Sequence, residues 1–268
     1  MGADTKSLRT RIKSVDSTLH LTRAMGLVAS SKIRNATDAM YKGRQYSSAI
    51  SKTIDLLVAC NECRKSPYMK TPEQDASERI IIIAGDRGLA GGYNANVFRL
   101  AAEYPNAEFI PIGKRAYEKF GGKLYSSEHF SYGDAAELSR QLCKDFANGG
   151  FGRLGIISTR YVSMMTQNAE IEWILPLSSS ERKRSIGIIF EPDELTILNM
   201  AVPDYVTGML VAAVRESFAS EVAARRMAMD SAGKNAQQMI DDLQLEYNRA
   251  RQGAITQEIT EIVAGSGT

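Results

Sequence analysis

Hydrophobic and polar positions divide this chain into two helical flanks and a middle with a different period. From Leu8, positions taken alternately four and three apart are Leu8, Ile12, Val15, Leu19, Thr22, Gly26, Ala29, Ile33, Ala36, Met40, Gly43, Ser47, Ile50, Ile54 and Leu57. Every one is apolar or small, which is the seam of a coiled coil held over seven heptads. Thr22, Gly26 and Ala29 predict a slim waist where a partner backbone comes close. Gly43 and Ser47 predict a second weak place, where the helix bends. The other flank, from about Tyr205 to Val263, is proline-free and rich in good helix formers. Its stripe reads Met229, Ala232, Ala236, Met239, Leu243, Tyr247, Ala250 and Ala254, with one slip between Leu243 and Tyr247. Unbroken, about 59 residues at ~1.5 Å each make a rod of roughly 90 Å. One small domain does not bury such a helix, so each flank is the other's natural partner.

All seven prolines lie between Pro67 and Pro203. The block they punctuate reads as α/β. The run Arg79 to Ala84 is short, apolar and β-branched, as in a buried parallel strand. A glycine-rich turn and a helical stretch through Ala102 follow. Further strands are expected at 109–112, 154–161 and 170–175, the last two as a hairpin, and a final one at 186–190. Helices are expected at 114–120 and 134–146. Ser178 to Arg184 reads as a polar linker, and Pro192, Asp193 and Glu194 open a short helix. Because the middle block joins both long helices, they leave it on the same side and run antiparallel. The expected fold is therefore a long antiparallel two-helix coiled coil from the N- and C-terminal helices, with a central Rossmann-like α/β domain between them. The expected boundaries are 1–66, 67–203 and 204–268.

Composition adds limits. The 268 residues are 44% hydrophobic and 24% charged, with a net charge of +2, too small to point to nucleic acid alone. No run approaches 18 apolar residues, so no membrane span is expected. The polar start, Met1 to Leu8, lacks the core of a secretory signal. Three cysteines argue against a disulfide framework. Residues 1–44 carry nine lysines and arginines against three aspartates, a balance of +6, and residues 205–268 carry six against eight acids, a balance of −2. Opposite signs favour pairing of the flanks, although each exposed pair contributes only about 0.5 kcal/mol.

Candidate chemistry is sparse. The turn Gly85-Asp86-Arg87-Gly88-Leu89-Ala90-Gly91-Gly92 follows a strand, as a phosphate loop would. Tyr93 and Asn94 stand where that loop needs Lys and Ser or Thr, and the dinucleotide glycine spacing is absent. It reads as a structural strand-to-helix turn. Cys60 and Cys63 have a dithiol spacing, but a zinc site needs two more ligands, and His20 and His129 are not suitably spaced. With two histidines and no acid–base or nucleophile constellation, no active site, metal or cofactor is expected. Physics alone gives a mechanical or scaffolding protein. The competing classes are a basic coiled-coil adaptor for nucleic acid or a partner helix, and an enzyme built on residues 67–203.

Specific segments narrow this. Arg11-Ile12-Lys13-Ser14-Val15, Thr22-Arg23-Ala24-Met25-Gly26-Leu27-Val28-Ala29-Ser30-Ser31-Lys32, Asp86 to Asn94, Glu216-Ser217 with Ala219-Ser220-Glu221, Ala224-Arg225, Met227-Ala228-Met229, Asn235-Ala236 and Tyr247 to Gly265 resemble, in order, the gamma subunit of F-type ATP synthases. The resemblance implies a central rotor stalk without a catalytic site or cofactor of its own. Such a stalk turns inside a ring of three alpha and three beta subunits, and its head sits with an epsilon subunit on a membrane ring of c subunits. It couples transmembrane proton flow to ATP synthesis or hydrolysis, and regulates both. The resemblance also implies roles for residues. Met25 and Arg225 are similar to positions facing the lever loops of beta. Gln252, Thr256, Glu258 and Glu261 are similar to positions near the upper bearing and the catch contacts of the ring. Setting Met25 beside Arg225 puts Leu8 near Asp242, and Ile255, Ile259 and Ile262 beyond the pair, against an apolar sleeve. This chain departs from the family at Gly26, where a charged residue is common, at Ala90, where cysteine is frequent, and in the tail Gly265-Ser266-Gly267-Thr268. The expected location is the cytoplasmic face of a bacterial cell membrane, held peripherally, with no nucleic acid partner and no insertion into the bilayer.

Overall fold

A computed structural model describes residues 2–70, 77–178 and 190–265. Two helices flank the sheet: α1, Gly2–Val58, and α5, Glu194–Gly265. Between them come β1 (Glu78–Ile83), α2 (Tyr93–Ala101), β2 (Glu108–Ile112), α3 (Lys114–Phe120), α4 (Tyr132–Ala147), β3 (Arg153–Tyr161) and β4 (Gln167–Leu175). The expected strand at 186–190 falls almost wholly outside the described residues, as does most of the linker from Ser178 to Arg184.

The sheet order is β2-β1-β3-β4. β1 pairs parallel with β2 and β3, and β4 returns antiparallel to β3 as the expected hairpin. β1 is apolar on both faces because both are covered. Ile81 and Ile83 join a core with the end of α1 (Ile54, Leu57, Val58), α4 (Leu138, Leu142, Phe146) and the start of α5 (Leu198, Val202, Val206, Leu210). Ile80 and Ile82 face Val97 and Ala101 of α2 and Ala116 of α3.

The seam on α1 holds along its length: no seam position from Leu8 to Leu57 is exposed. At Gly43 the helix does not break. A Cβ there would lie 3.3 Å from the Ala212 backbone, so this glycine serves close approach to α5. The slip in the α5 stripe disappears. Met239 is 57% exposed, and half-buried Ile240 takes its place. With Gly233, which faces Thr22 and Leu19, also in place of Ala232, the row Met229, Gly233, Ala236, Ile240, Leu243, Tyr247, Ala250, Ala254 alternates four and three throughout.

The start of the last helix differs from expectation. In place of a short helix at Pro192 and a long one after Pro203, α5 is continuous from Glu194 and carries Pro203 inside it. An internal proline costs about 3 kcal/mol. Leu198, Val202, Val206 and Leu210 are each 0% exposed, and burying such side chains returns about 1.5–3 kcal/mol apiece, so packing holds the helix through the proline. A second departure is that α5 contains a stretch long and apolar enough to cross a membrane, 44% of it buried inside the protein.

Two compact units emerge, residues 1–30 with 225–268, and residues 31–224.

Candidate functional site

Within the unit of residues 1–30 and 225–268, α1 and α5 pair antiparallel. A Cβ on Gly26 would lie 3.1 Å from Arg226 Nη1 and 3.6 Å from Met229 Cβ, and one on Gly233 would lie 3.6 Å from Thr22 Oγ1. These are the contacts of the predicted slim waist. Thr22 turns its hydroxyl inward, donating to the Leu19 carbonyl at 2.9 Å. A groove of about 490 Å³ opens there, rimmed by Arg23, Arg226, Asp230 and Lys234. Arg23 donates to Gln237 at 3.3 Å.

These pairs set the register. Facing residue numbers sum to 252 for Gly26 with Arg226 and 255 for Gly26 with Met229 or Thr22 with Gly233, whereas Met25 beside Arg225 would require 250. Met25 therefore lies about one helical turn from that pairing, and Leu8 falls at the level of residues 244–247 rather than Asp242. Met25 and Arg225 are both half-buried. Gln252, Thr256, Glu258 and Glu261 are all exposed. Thr256 bonds the Gln252 carbonyl at 2.9 Å and Gln257 bonds Glu261 at 2.9 Å, both local contacts along α5. Every residue from 255 to 265 is exposed, including Ile255, Ile259 and Ile262.

In the unit of residues 31–224, α5 is fastened to the sheet by side chains whose partners sequence spacing does not reveal. β1 pairs with β3 only as far as Ile157. Beyond it, Thr159 N–H donates to Ser217 Oγ at 3.0 Å and Ser220 Oγ donates to the Thr159 carbonyl at 3.0 Å. The two serines thus replace the missing strand along the end of β3, and both are 0% exposed. One residue before Ser217, Glu216 accepts the Tyr161 N–H at 3.0 Å and a forked pair of bonds from Arg44, Nη2 to Oε1 at 2.6 Å and Nε to Oε2 at 3.1 Å. Arg44 also reaches the Tyr161 carbonyl at 2.6 Å. α1, β3 and α5 are joined at this point by charge-assisted bonds. The only sequence signal was the motif itself, Glu216-Ser217 with Ala219-Ser220-Glu221.

The glycine-rich turn is structural. Asp86 accepts from Lys114 N–H at 2.9 Å, Ser126 Oγ at 2.6 Å, Ser127 N–H at 3.2 Å and Glu128 N–H at 3.1 Å. Burial alone would push its carboxyl up, but these four donors outweigh it and hold Asp86 below the usual carboxylate range. At the carboxyl end of β1, where open α/β sheets bind ligands, a Cβ on Gly85 would lie 2.7 Å from the buried Glu221 carboxyl carbon. α5 fills the place a nucleotide would need. Gly113 has φ +95°, and a Cβ there would meet the Ala84 carbonyl at 1.9 Å.

Cys60, Cys63 and Cys143 are buried free thiols. Burial pushes the Cys63 thiol up to about 11 and the Cys143 thiol to about 12. Cys63 Sγ donates to the Glu194 carbonyl at 3.4 Å, a packing role. Among the described residues no three His, Cys, Asp or Glu side chains gather as a metal requires.

Two long helices, antiparallel where they pair and fastened by buried serines and an arginine fork to an α/β sheet, define a class of protein built on a helix pair joined to an α/β domain. The chain matches the model of a family described as ATP synthase over residues 4–268. It is 36% identical to the sodium-ion-specific ATP synthase gamma chain of Acetobacterium woodii, covering 99% of each chain. It is 34% identical to the ATP synthase gamma chain of Clostridium perfringens, covering 99% of this chain and 98% of that one. Among solved structures, a chain of the Euglena gracilis mitochondrial ATP synthase rotor superposes with a TM-score of 0.65 at 17% identity, covering 95% of this chain and 100% of that one. A chain of the Tetrahymena thermophila central stalk and c-ring gives 0.61 at 20%, covering 79% and 99%. At those identities the likeness is one of fold. The chain belongs to the ATP synthase gamma chain family.

Proposed function

We propose that this chain is the central rotor stalk of an F-type ATP synthase. It couples ion flow, taken here as proton flow, to ATP synthesis and hydrolysis in a surrounding ring of alpha and beta subunits, three of each. The observation that carries the reading is kinship with gamma chains over 99% of the sequence. The geometry supports it: a rotor has to carry torque between its helices and its head, and the half-buried pair Arg44 and Glu216 together with the buried Ser217 and Ser220 link α1, β3 and α5.

In this reading residues 1–66 and 204–268 form the shaft and 67–203 the head. The head sits with an epsilon subunit on a membrane c-ring, so the protein is peripheral on the cytoplasmic side of a bacterial cell membrane. Catalysis belongs to the ring, and the shaft angle biases which of its sites is open or closed. Through that angle the stalk also regulates hydrolysis and proton flow. Met25 and Arg225 face the lever loops of beta, while Gln252, Thr256, Glu258 and Glu261 lie against the bearing and catch positions. An exposed isoleucine row at 255, 259 and 262 suits an apolar sleeve.

Reconstitution with separately purified alpha and beta subunits of the same organism tests this. The expected result is a complex with one copy of this chain per ring whose ATP hydrolysis depends on the chain. A folded chain that leaves alpha and beta unassembled and inactive overturns it.

A further inference from the structure

Leu89, in the glycine-rich turn after β1, is unfavourable twice over. Its φ is +60°, in the left-handed region, and no other non-glycine residue stands there among the described residues. A Cβ makes that conformation costly, whereas glycine adopts it freely and asparagine tolerates it. The leucine side chain is also 63% exposed and belongs to none of the buried clusters of the chain. A lone exposed leucine is ordinary on a protein surface. A strained one is not, because two commoner turn residues would cost the isolated chain less, and strain of this kind collects where a protein makes functional contacts.

The turn is held from both sides. Asp86 takes its four donors. Asn94 Oδ1 accepts from the Gly85 N–H at 2.9 Å, and the Gly85 carbonyl accepts from the Arg115 N–H at 3.1 Å. Leu89 is thus presented in one fixed place. That place is defined by both long helices. Gly85 packs against Glu221 of α5, four residues before that helix passes into residues 225–268. Arg87 stands 3.9 Å from Glu128, which pairs with Lys32 of α1, the second residue of this unit. The turn therefore lies at the end of the 31–224 unit where α1 enters and α5 leaves.

We propose that Leu89 is a docking residue of the head, seated in an apolar recess of the alpha and beta ring. This rests on the rotor reading, in which the ring surrounds residues 225–268 and so stands over this end of the unit. An apolar side chain fixed in advance loses less freedom on docking, and that is what the strain gives in return. The test uses the full chain, free and reconstituted with alpha and beta. Leu89→Cys should react promptly with a thiol reagent in the free chain, where the native cysteines are buried, and roughly tenfold or more slowly in the complex, as a covered interface residue does. Met200→Cys, at a 69% exposed position near the start of α5, should react alike in both. Leu89→Asn tolerates the positive φ and removes the apolar group. It should raise the folded-to-unfolded ratio of the free chain roughly two- to tenfold, read by urea unfolding. It should also lose to the parent by roughly tenfold or more when the two compete for limiting alpha and beta. Equal reactivity of Leu89→Cys in the free chain and the complex, equal competition by Leu89→Asn, or a free Leu89→Asn chain less stable than its parent overturns the proposal and leaves the rotor reading standing. Failure of the parent chain to assemble with alpha and beta overturns both.

Discussion

The joint between α5 and β3 yields the sharpest prediction. Ser217 and Ser220 are fully buried, and their hydroxyls satisfy the N–H and C=O of one residue, Thr159, itself 3% exposed. Changing Ser217 to alanine removes one oxygen and almost no volume, so no sizeable cavity forms. The Thr159 N–H is then buried without an acceptor, at a cost of about 1–3 kcal/mol. Ser220→Ala leaves a carbonyl short of one donor, a smaller loss of about 1 kcal/mol. The double variant should lose about 2–4 kcal/mol, with some coupling because both bonds end on one residue. Urea unfolding of the full chain measures the total. Hydrogen exchange at the Thr159 amide locates it, since its protection should fall in Ser217→Ala more than in Ser220→Ala. Ser17→Ala is the control: that hydroxyl is exposed and bonds only the Lys13 carbonyl one turn back, so the change should stay within about 0.5 kcal/mol. If both buried variants also stay within about 0.5 kcal/mol and protection at Thr159 is unchanged, the serines are not the fastening claimed for them.

Other predictions follow from the same geometry. Asp86 titrates below its ordinary value in the folded chain, so its contribution is fully present above the unfolded pKa of about 3.8 and is lost as pH falls through the lower folded value. Asp86→Asn should therefore cost about 1.5–3 kcal/mol at neutral pH and flatten the acid limb of the stability curve, read by urea midpoints from pH 7 downward. Gly26→Ala should leave stability unchanged or raise it by up to about 1 kcal/mol, because the new Cβ is close only to the movable end of Arg226 and meets Met229 Cβ at an ordinary 3.6 Å. Gly43→Ala meets Ala212 backbone at 3.3 Å and should gain nothing; thermal midpoints of the two variants decide this. Cys63 and Cys143, buried and with thiols pushed up to about 11 and about 12, should react with a thiol reagent at neutral pH only after denaturant is added. Prompt labelling of the native chain at either position would contradict their placement.

The coiled-coil seam was legible because its period is local: each position from Leu8 to Leu57 can be assigned by counting, and none is exposed. The strands were legible because buried parallel strands read as β-branched runs, and the hairpin because it is contiguous. Met239 was misplaced because Met and Ile are equally apolar, and only the partner helix decides that Ile240 faces it. Pro203 was read as a boundary because local propensity disfavours proline inside a helix, while the burial that outweighs it comes from a distant sheet. The α5 joint and the Asp86 clamp were illegible for the same reason. Ser217 meets Thr159 across 58 positions and Asp86 meets Ser126 across 40, and no spacing rule reaches that far. Counting from Met25 set beside Arg225 puts Leu8 near Asp242, and the geometry of Gly26, Thr22 and Gly233 moves that register by about one turn.

The central claim is that this chain turns. The most direct measurement fixes the alpha and beta ring to a surface, attaches a bead to the head through a cysteine introduced at exposed Met200, and supplies ATP. The account predicts sustained rotation in one direction, in three main steps per turn, abolished when the chain is cross-linked to the ring. An assembled complex that hydrolyses ATP at full rate while the bead stays still, or while the cross-link is intact, would contradict it.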